Sequence, residues 1–118
     1  MQCNLLIRGG TVIDAAAGQN QIMDVAITGD RIVAVGESLE YHADQVIDAS
    51  GLIVSPGLID LHVHVYQHHI PISLNADELS IAGGVTTQLD AGSAGSYNFD
   101  GFRRDYIDRA NTEVLGLV

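Results

Sequence analysis

The chain contains no lysine and no tryptophan, one cysteine and two prolines, and each scarcity closes a class of readings. Its five basic residues are all arginine (Arg8, Arg31, Arg103, Arg104, Arg109) against fifteen acidic ones, a formal charge of −10. A field of that sign repels phosphate backbones and anionic headgroups, so neither nucleic acid nor a membrane is expected as a partner. A lone Cys3 cannot close an internal disulfide, which agrees with a reducing compartment. The first residues alternate in polarity and carry Arg8 where a signal peptide needs an apolar run. The most apolar stretch is broken by Pro56, Asp60 and histidines before the ~18 residues of a membrane span. The expected location is therefore cytoplasmic. No G-x-G-x-x-G or Walker pattern surrounds Gly92 and Gly95, which excludes a phosphate cradle. Neither Ser93 nor Cys3 has a visible base that would make it a nucleophile.

What is present is aliphatic: hydrophobic residues make up 47% and aromatics 5%, so the core must be Val, Ile, Leu and Ala, the composition of buried β-strands. Residues 3–55 read as short strands separated by turn chemistry. Cys3 to Arg8 ends at Gly9-Gly10, Thr11 to Asp14 follows, and Met23 to Thr28 meets Gly29-Asp30, a tight turn returning as Arg31 to Gly36. Gln45 to Asp48 and Leu52 to Val54 flank Ala49-Ser50-Gly51 as another expected hairpin. Strands with Gly-rich turns and no helical period point to a small β-sandwich or β-roll over residues 1–56. Pro56-Gly57 marks a boundary, because proline restricts its neighbours and cannot continue a ladder.

Beyond it the pattern changes. Leu58 to Val65 is a strand, Asp77 to Ala82 a short helix capped by Asn75 or Asp77 and stopped by Gly83-Gly84, and Val85 to Asp90 a second strand. Asn98 or Asp100 caps a helix that gathers Phe102, Tyr106, Ile107 and Ala110 on one side, and Glu113 to Val118 starts a third strand. Strand, helix, strand, helix, strand is the parallel βαβ pattern of an α/β fold. In the first of these strands His62 and His64 are two residues apart and point to one face, where two imidazoles can grip a single metal ion. Leu61, Val63 and Val65 alternate with them, and the opposite face is expected to be packed. Asp60 shares the histidines' face, either as hydrogen-bond partner of a ligand imidazole or as a buried structural carboxylate. Asp90 ends the second strand either near a ligand or, the more ordinary role, capping the loop backbone. His68 and His69 are adjacent and divergent, hence poor partners for one ion, and His42 reads as surface.

The run Ser55-Pro56-Gly57-Leu58-Ile59-Asp60-Leu61-His62-Val63-His64, preceded by Asp48-Ala49-Ser50-Gly51-Leu52-Ile53-Val54, resembles the opening of the amidohydrolase superfamily of metal-dependent hydrolases. Gly84-Val85-Thr86-Thr87-Gln88-Leu89-Asp90-Ala91-Gly92-Ser93-Ala94-Gly95, with Asn98 to Arg103 after it, resembles its dihydroorotase-like deacetylase branch. The resemblance implies a small N-terminal β module over 1–56, then the first two βα units of a TIM-type (β/α)8 barrel over 57–118. It covers about the first third of a member, and 118 residues are about half of the roughly 250 that a barrel needs. It further implies one or two divalent metals, zinc first among them, with His62 and His64 as ligands and the remaining ligands and the base aspartate outside these residues. A chain without lysine cannot supply the carboxylated lysine of many members. Dihydroorotases place an arginine soon after the histidine pair, where this chain has Tyr66 and Gln67, which argues against that activity. Tyr66 is placed either to touch substrate or to cover the barrel mouth. The resulting expectation is the N-terminal portion of an enzyme that hydrolyses small amides, cyclic amides or acetyl esters with metal-activated water. Its partner is a small-molecule substrate, and the portion alone is inactive. The alternative is a non-catalytic metal-binding or assembly module, a homo-oligomer or a donor of strands to a partner chain.

Overall fold

The first strand runs unbroken through the glycine pair expected to end it. In the computed structural model, which describes residues 1–118, β1 spans Gln2–Asp14 and pairs antiparallel with β2 (Gln19–Thr28) on one side. A register shift lies between Ile7 and Gly10, where Gly9 takes a left-handed φ of 70°. The buried Asp24 holds this bulge, accepting hydrogen bonds from the Gly9 amide at 2.9 Å and the Leu39 amide at 3.0 Å, with the Arg8 guanidinium 3.8 Å away. Strand β3 (Arg31–Gly36) returns along β2 as the Gly29-Asp30 hairpin predicts.

The second expected hairpin does not form. Strands β4 (His42–Asp48) and β5 (Ile53–Val54) both lie parallel to β1, with Leu6 opposite Val46 and Thr11 opposite Ile53. Between them Ala49-Ser50-Gly51 is a bend that matches the β1 bulge, since the Ala49 amide donates to the Arg8 carbonyl and the Thr11 amide to the Leu52 carbonyl. Turn residues announce a change of direction, but only the bonds to a third strand decide between reversal and detour. The outcome is one five-stranded sheet, ordered β3-β2-β1-β4 with β5 also on β1, rather than a two-layer sandwich. Apolar clusters form around Cys3, Leu6 and Ala26, and around Val12, Met23 and Val25. The first is covered by Leu39 and Tyr41 of the loop rather than by a second sheet.

The chain divides into two compact units, Met1–Pro56 and Gly57–Val118. In the second, β6 (Leu58–Val63), β7 (Val85–Asp90) and β8 (Glu113–Gly116) form a parallel sheet in that order. Parallel neighbours need long crossovers. These are supplied by α1 (Ala76–Gly83), and by α2 (Phe99–Asp105) followed by a 3-10 turn at Ile107–Arg109. Asn75 caps α1, accepting from the Asp77 and Glu78 amides, and left-handed Gly84 (φ 66°) closes it by donating to the Ser80 carbonyl at 2.8 Å. The second helix is shorter than expected. It leaves helical geometry at Tyr106, whose hydroxyl donates to the Gln67 carbonyl at 2.8 Å. Phe102, fully buried, centres a core of Val63, Val65, Tyr66, Ala94 and Val114, against which Leu79, Tyr106 and Ile107 pack. The buried Gln88 fastens α1 to β7, its amide donating to the Ala76 carbonyl at 2.7 Å and to Ser80 Oγ at 3.1 Å.

A Cβ on Gly57 would sit 2.1 Å from Thr86 Oγ1 and 2.7 Å from Thr86 Cβ, so strand β7 approaches the turn closely only because residue 57 has no side chain. Gly57→Ala is expected to cost about 1–3 kcal/mol in urea unfolding, from overpacking. Thr86→Ala, which removes two of the three clashing atoms, is expected to recover part of that loss, giving a non-additive double-mutant cycle.

Asp77 ties the start of α1 to the chain entering β8. It accepts from the Asn111 amide and side-chain amide and from the Thr112 amide and hydroxyl, at 2.8–3.1 Å. The Asn111 backbone bond, reinforced by the others, holds its carboxyl below the ordinary 3.8. A depressed carboxylate stabilises fully above the unfolded value, and that stability is lost as pH falls through the lower folded value. Asp77→Asn is therefore expected to lower the urea midpoint at neutral pH, with the gap to the parent chain closing as pH drops below 3.8.

Candidate metal centre

Pleating and strand length together place the histidine pair. Strand β6 ends at Val63, so His62 is its penultimate residue, inside the register shift between Asp60 and Val63, and His64 is the first residue beyond it, at the C-terminal edge of the parallel sheet. Their rings lie on the same side with centres 5.5 Å apart at 75°. Two imidazoles on one tetrahedral ion, each nitrogen about 2.0–2.1 Å from it, have ring centres about 5 Å apart, so the pair fits a shared cation. Imidazole nitrogen is also the donor type that a borderline ion such as zinc takes. His62 is exposed and His64 half-buried.

Asp90, the last residue of β7, is 1% exposed and organises the surroundings. One carboxylate oxygen accepts from the Val65 amide at 2.8 Å and the other from the Ser93 amide at 2.7 Å. The carboxylate thus clamps the loop after the histidine strand to the loop after β7, the capping role rather than a ligand role. Ser93 is brought by that clamp to His64, with Oγ 3.0 Å from Nδ1. Sequence reasoning weighs Ser93 only as a nucleophile and misses this contact. The available signal is local: a serine three residues after a strand-ending aspartate sits where an Asx-type turn presents its side chain.

Other candidates lie elsewhere. Asp60 is neither buried nor bonded to an imidazole, because its Oδ1 caps its own strand by accepting from the His62 amide at 3.0 Å. Tyr66 is 4% exposed, packed on Phe102 and Tyr106 with ring centres at 4.7 and 5.1 Å, so it belongs to the core. His69 stacks on Tyr66 at 3.8 Å and points Nδ1 to the Gln67 carbonyl, while His68 takes a left-handed φ of 68° on the surface. Neither joins the pair, and His42 is exposed on β4. No group of three or more His, Cys, Asp or Glu side chains comes together to hold an ion.

The face opposite the histidines is packed only at Val63 and Val65. Ile59 and Leu61 on that face, like Leu58 on the other, are 55–70% exposed, because α1 packs on β7 and leaves the outer strand uncovered. A crevice of about 190 Å³ in this unit is lined by Gln67, Asn75, Asp77, Tyr106 and Arg109, and neither histidine lines it. No helix is long and apolar enough to cross a membrane.

Known proteins are similar to this chain in sequence and in fold. A deacetylase of Agrobacterium fabrum is 40% identical over all of this chain, which spans 30% of that protein. The crystal structure of a dihydroorotase superposes with a TM-score of 0.84 at 38% identity, covering 97% of this chain and 30% of that one. A D-aminoacylase with a binuclear metal centre matches at a TM-score of 0.60 and 36% identity, over 75% of this chain and 18% of its own. The chain thus spans 18–30% of the length of these relatives. The model of the Amidohydrolase family matches residues 45–109, which include both histidines and the Asp90 clamp, and the chain belongs to that family.

Proposed function

We propose that this chain is the metal-holding N-terminal part of a metal-dependent hydrolase that cleaves small amides, cyclic amides or acetyl esters, with deacetylation the first choice. One observation carries the reading: two imidazoles stand on one side at the C-terminal end of the first strand of a parallel sheet, the edge where barrel enzymes keep their chemistry. Residues 1–56 form the small β module. Residues 57–118 form two βα units and a third strand of a (β/α)8 barrel. The apolar side chains left exposed on the edge strands, Leu58, Ile59 and Leu61 on β6 and Leu115 on β8, support further elements packing over the faces of the sheet.

His62 and His64 hold a divalent ion, zinc by preference, and the relatives' deacetylase and dihydroorotase activities set the substrate range. Such an ion, when bound, supplies Lewis acidity and lowers the pKa of water to about 7. The chain's own part is to aim two neutral imidazoles, through a pleated strand whose next loop is locked by Asp90. A hydrolytic ion needs about three protein ligands, so two histidines without a third do not sustain turnover on their own.

Zinc or cobalt titration of the 118-residue chain, monitored by calorimetry, tests this. One weak site is expected, abolished by His62→Asn and by His64→Asn, with no hydrolysis of N-acetyl amino acids. Unchanged binding in the double variant would remove the metal reading, and enzyme-like turnover by the zinc-loaded chain would remove the claim that other ligands are required.

A further inference from the structure

The clamp at Asp90 does more than close a loop. It suspends two residues from one carboxylate: Val65, which comes directly after His64, through its amide, and Ser93 through its own. Gly92, just before Ser93, takes a φ of 100°, a backbone conformation open to glycine, which turns the chain so that the Ser93 hydroxyl comes back toward the strand. The His64 carbonyl is fixed as well, accepting from the Leu74 amide at 3.0 Å. With both backbones held, the 3.0 Å separation of Ser93 Oγ and His64 Nδ1 is set by the scaffold rather than by two free side chains meeting. Ser93 is only 9% exposed, so bulk water competes weakly for that hydrogen bond.

A neutral imidazole carries one proton. If Nδ1 accepts, the proton sits on Nε2 and the ring has no lone pair to offer on its outer side. If Nδ1 donates, Nε2 is free. A serine oxygen accepts readily, whereas an imidazole that ligates through one nitrogen needs an acceptor for the proton on the other. The two requirements meet at this contact. We infer that Ser93 is a positioning residue that accepts the Nδ1 proton of His64, fixing the tautomer in which Nε2 is the ligating nitrogen. The inference rests on the reading of His64 as a metal ligand, and its test separates the two.

The chain labelled with ¹⁵N-histidine, kept metal-free above the histidine titration range, reports the tautomer of each ring in long-range ¹H–¹⁵N spectra. His64 is expected with its proton on Nδ1. Ser93→Ala keeps the backbone amide that bonds to Asp90, and so the turn, and is expected to lose that tautomer preference. Ser93→Thr, which retains a hydroxyl, is expected to keep it. Zinc affinity is expected to fall roughly 10-fold in Ser93→Ala and to be restored in Ser93→Thr, the range that loss of an imidazole's outer partner brings. A parent chain with His64 protonated on Nε2 overturns the inference without any variant having to fold. An alanine variant identical to the parent in tautomer and in zinc affinity overturns it too. If zinc binding survives loss of both histidines, the metal reading fails separately, while the tautomer spectra still score the hydrogen bond between Ser93 and His64.

Discussion

The end of the histidine strand depends on a buried carboxylate whose two oxygens each accept from a backbone amide. Asp90 accepts from Val65 and Ser93 at 2.8 and 2.7 Å. A charge-assisted bond of this kind is stronger than a neutral one, and leaving such a group unpaired inside the protein carries a large penalty. The backbone on both sides of the contact between His64 and Ser93 is therefore held by one carboxylate, a form of preorganisation.

The first unit uses the same device for a different end. Asp24, nearly inaccessible, accepts from the Gly9 and Leu39 amides and so stabilises the bulge in β1. Bulges usually interrupt pairing. Here the interruption is mirrored on the neighbouring edge by the detour at Ala49-Ser50-Gly51, and β1 keeps partners along most of its thirteen residues. In both units an acidic side chain directs its acceptor capacity to main-chain donors that the sheet itself cannot satisfy.

Much of this is legible from the residues alone. Alternation and the Pro56-Gly57 step reveal the histidine strand, glycine and asparagine signals mark both ends of α1, and the spacing of Phe102, Tyr106 and Ile107 marks the apolar side of the second crossover, although helical geometry ends at Asp105. What escapes depends on partners distant in sequence. The parallel course of β4 and β5 is decided by β1, some forty residues earlier at Leu6 and Val46, and no local turn signal encodes it. The role of Tyr66 is decided by Phe102 and Tyr106, and the packing behind Leu61 by which strand α1 covers. Ser93 escapes because a hydroxyl gains meaning only from the group it meets. Periodicity reports which face a side chain takes, not what it meets there.

The central position of β1 also bears on how the first unit comes to exist. Its antiparallel partner arrives soon in the chain, and the β2–β3 hairpin closes over two residues, so these contacts can condense early. The opposite flank of β1 must wait for β4 and β5, whose pairings span about forty residues and incur a larger loop-closure entropy. During synthesis the N-terminal strand therefore emerges with one bare edge that only later residues satisfy.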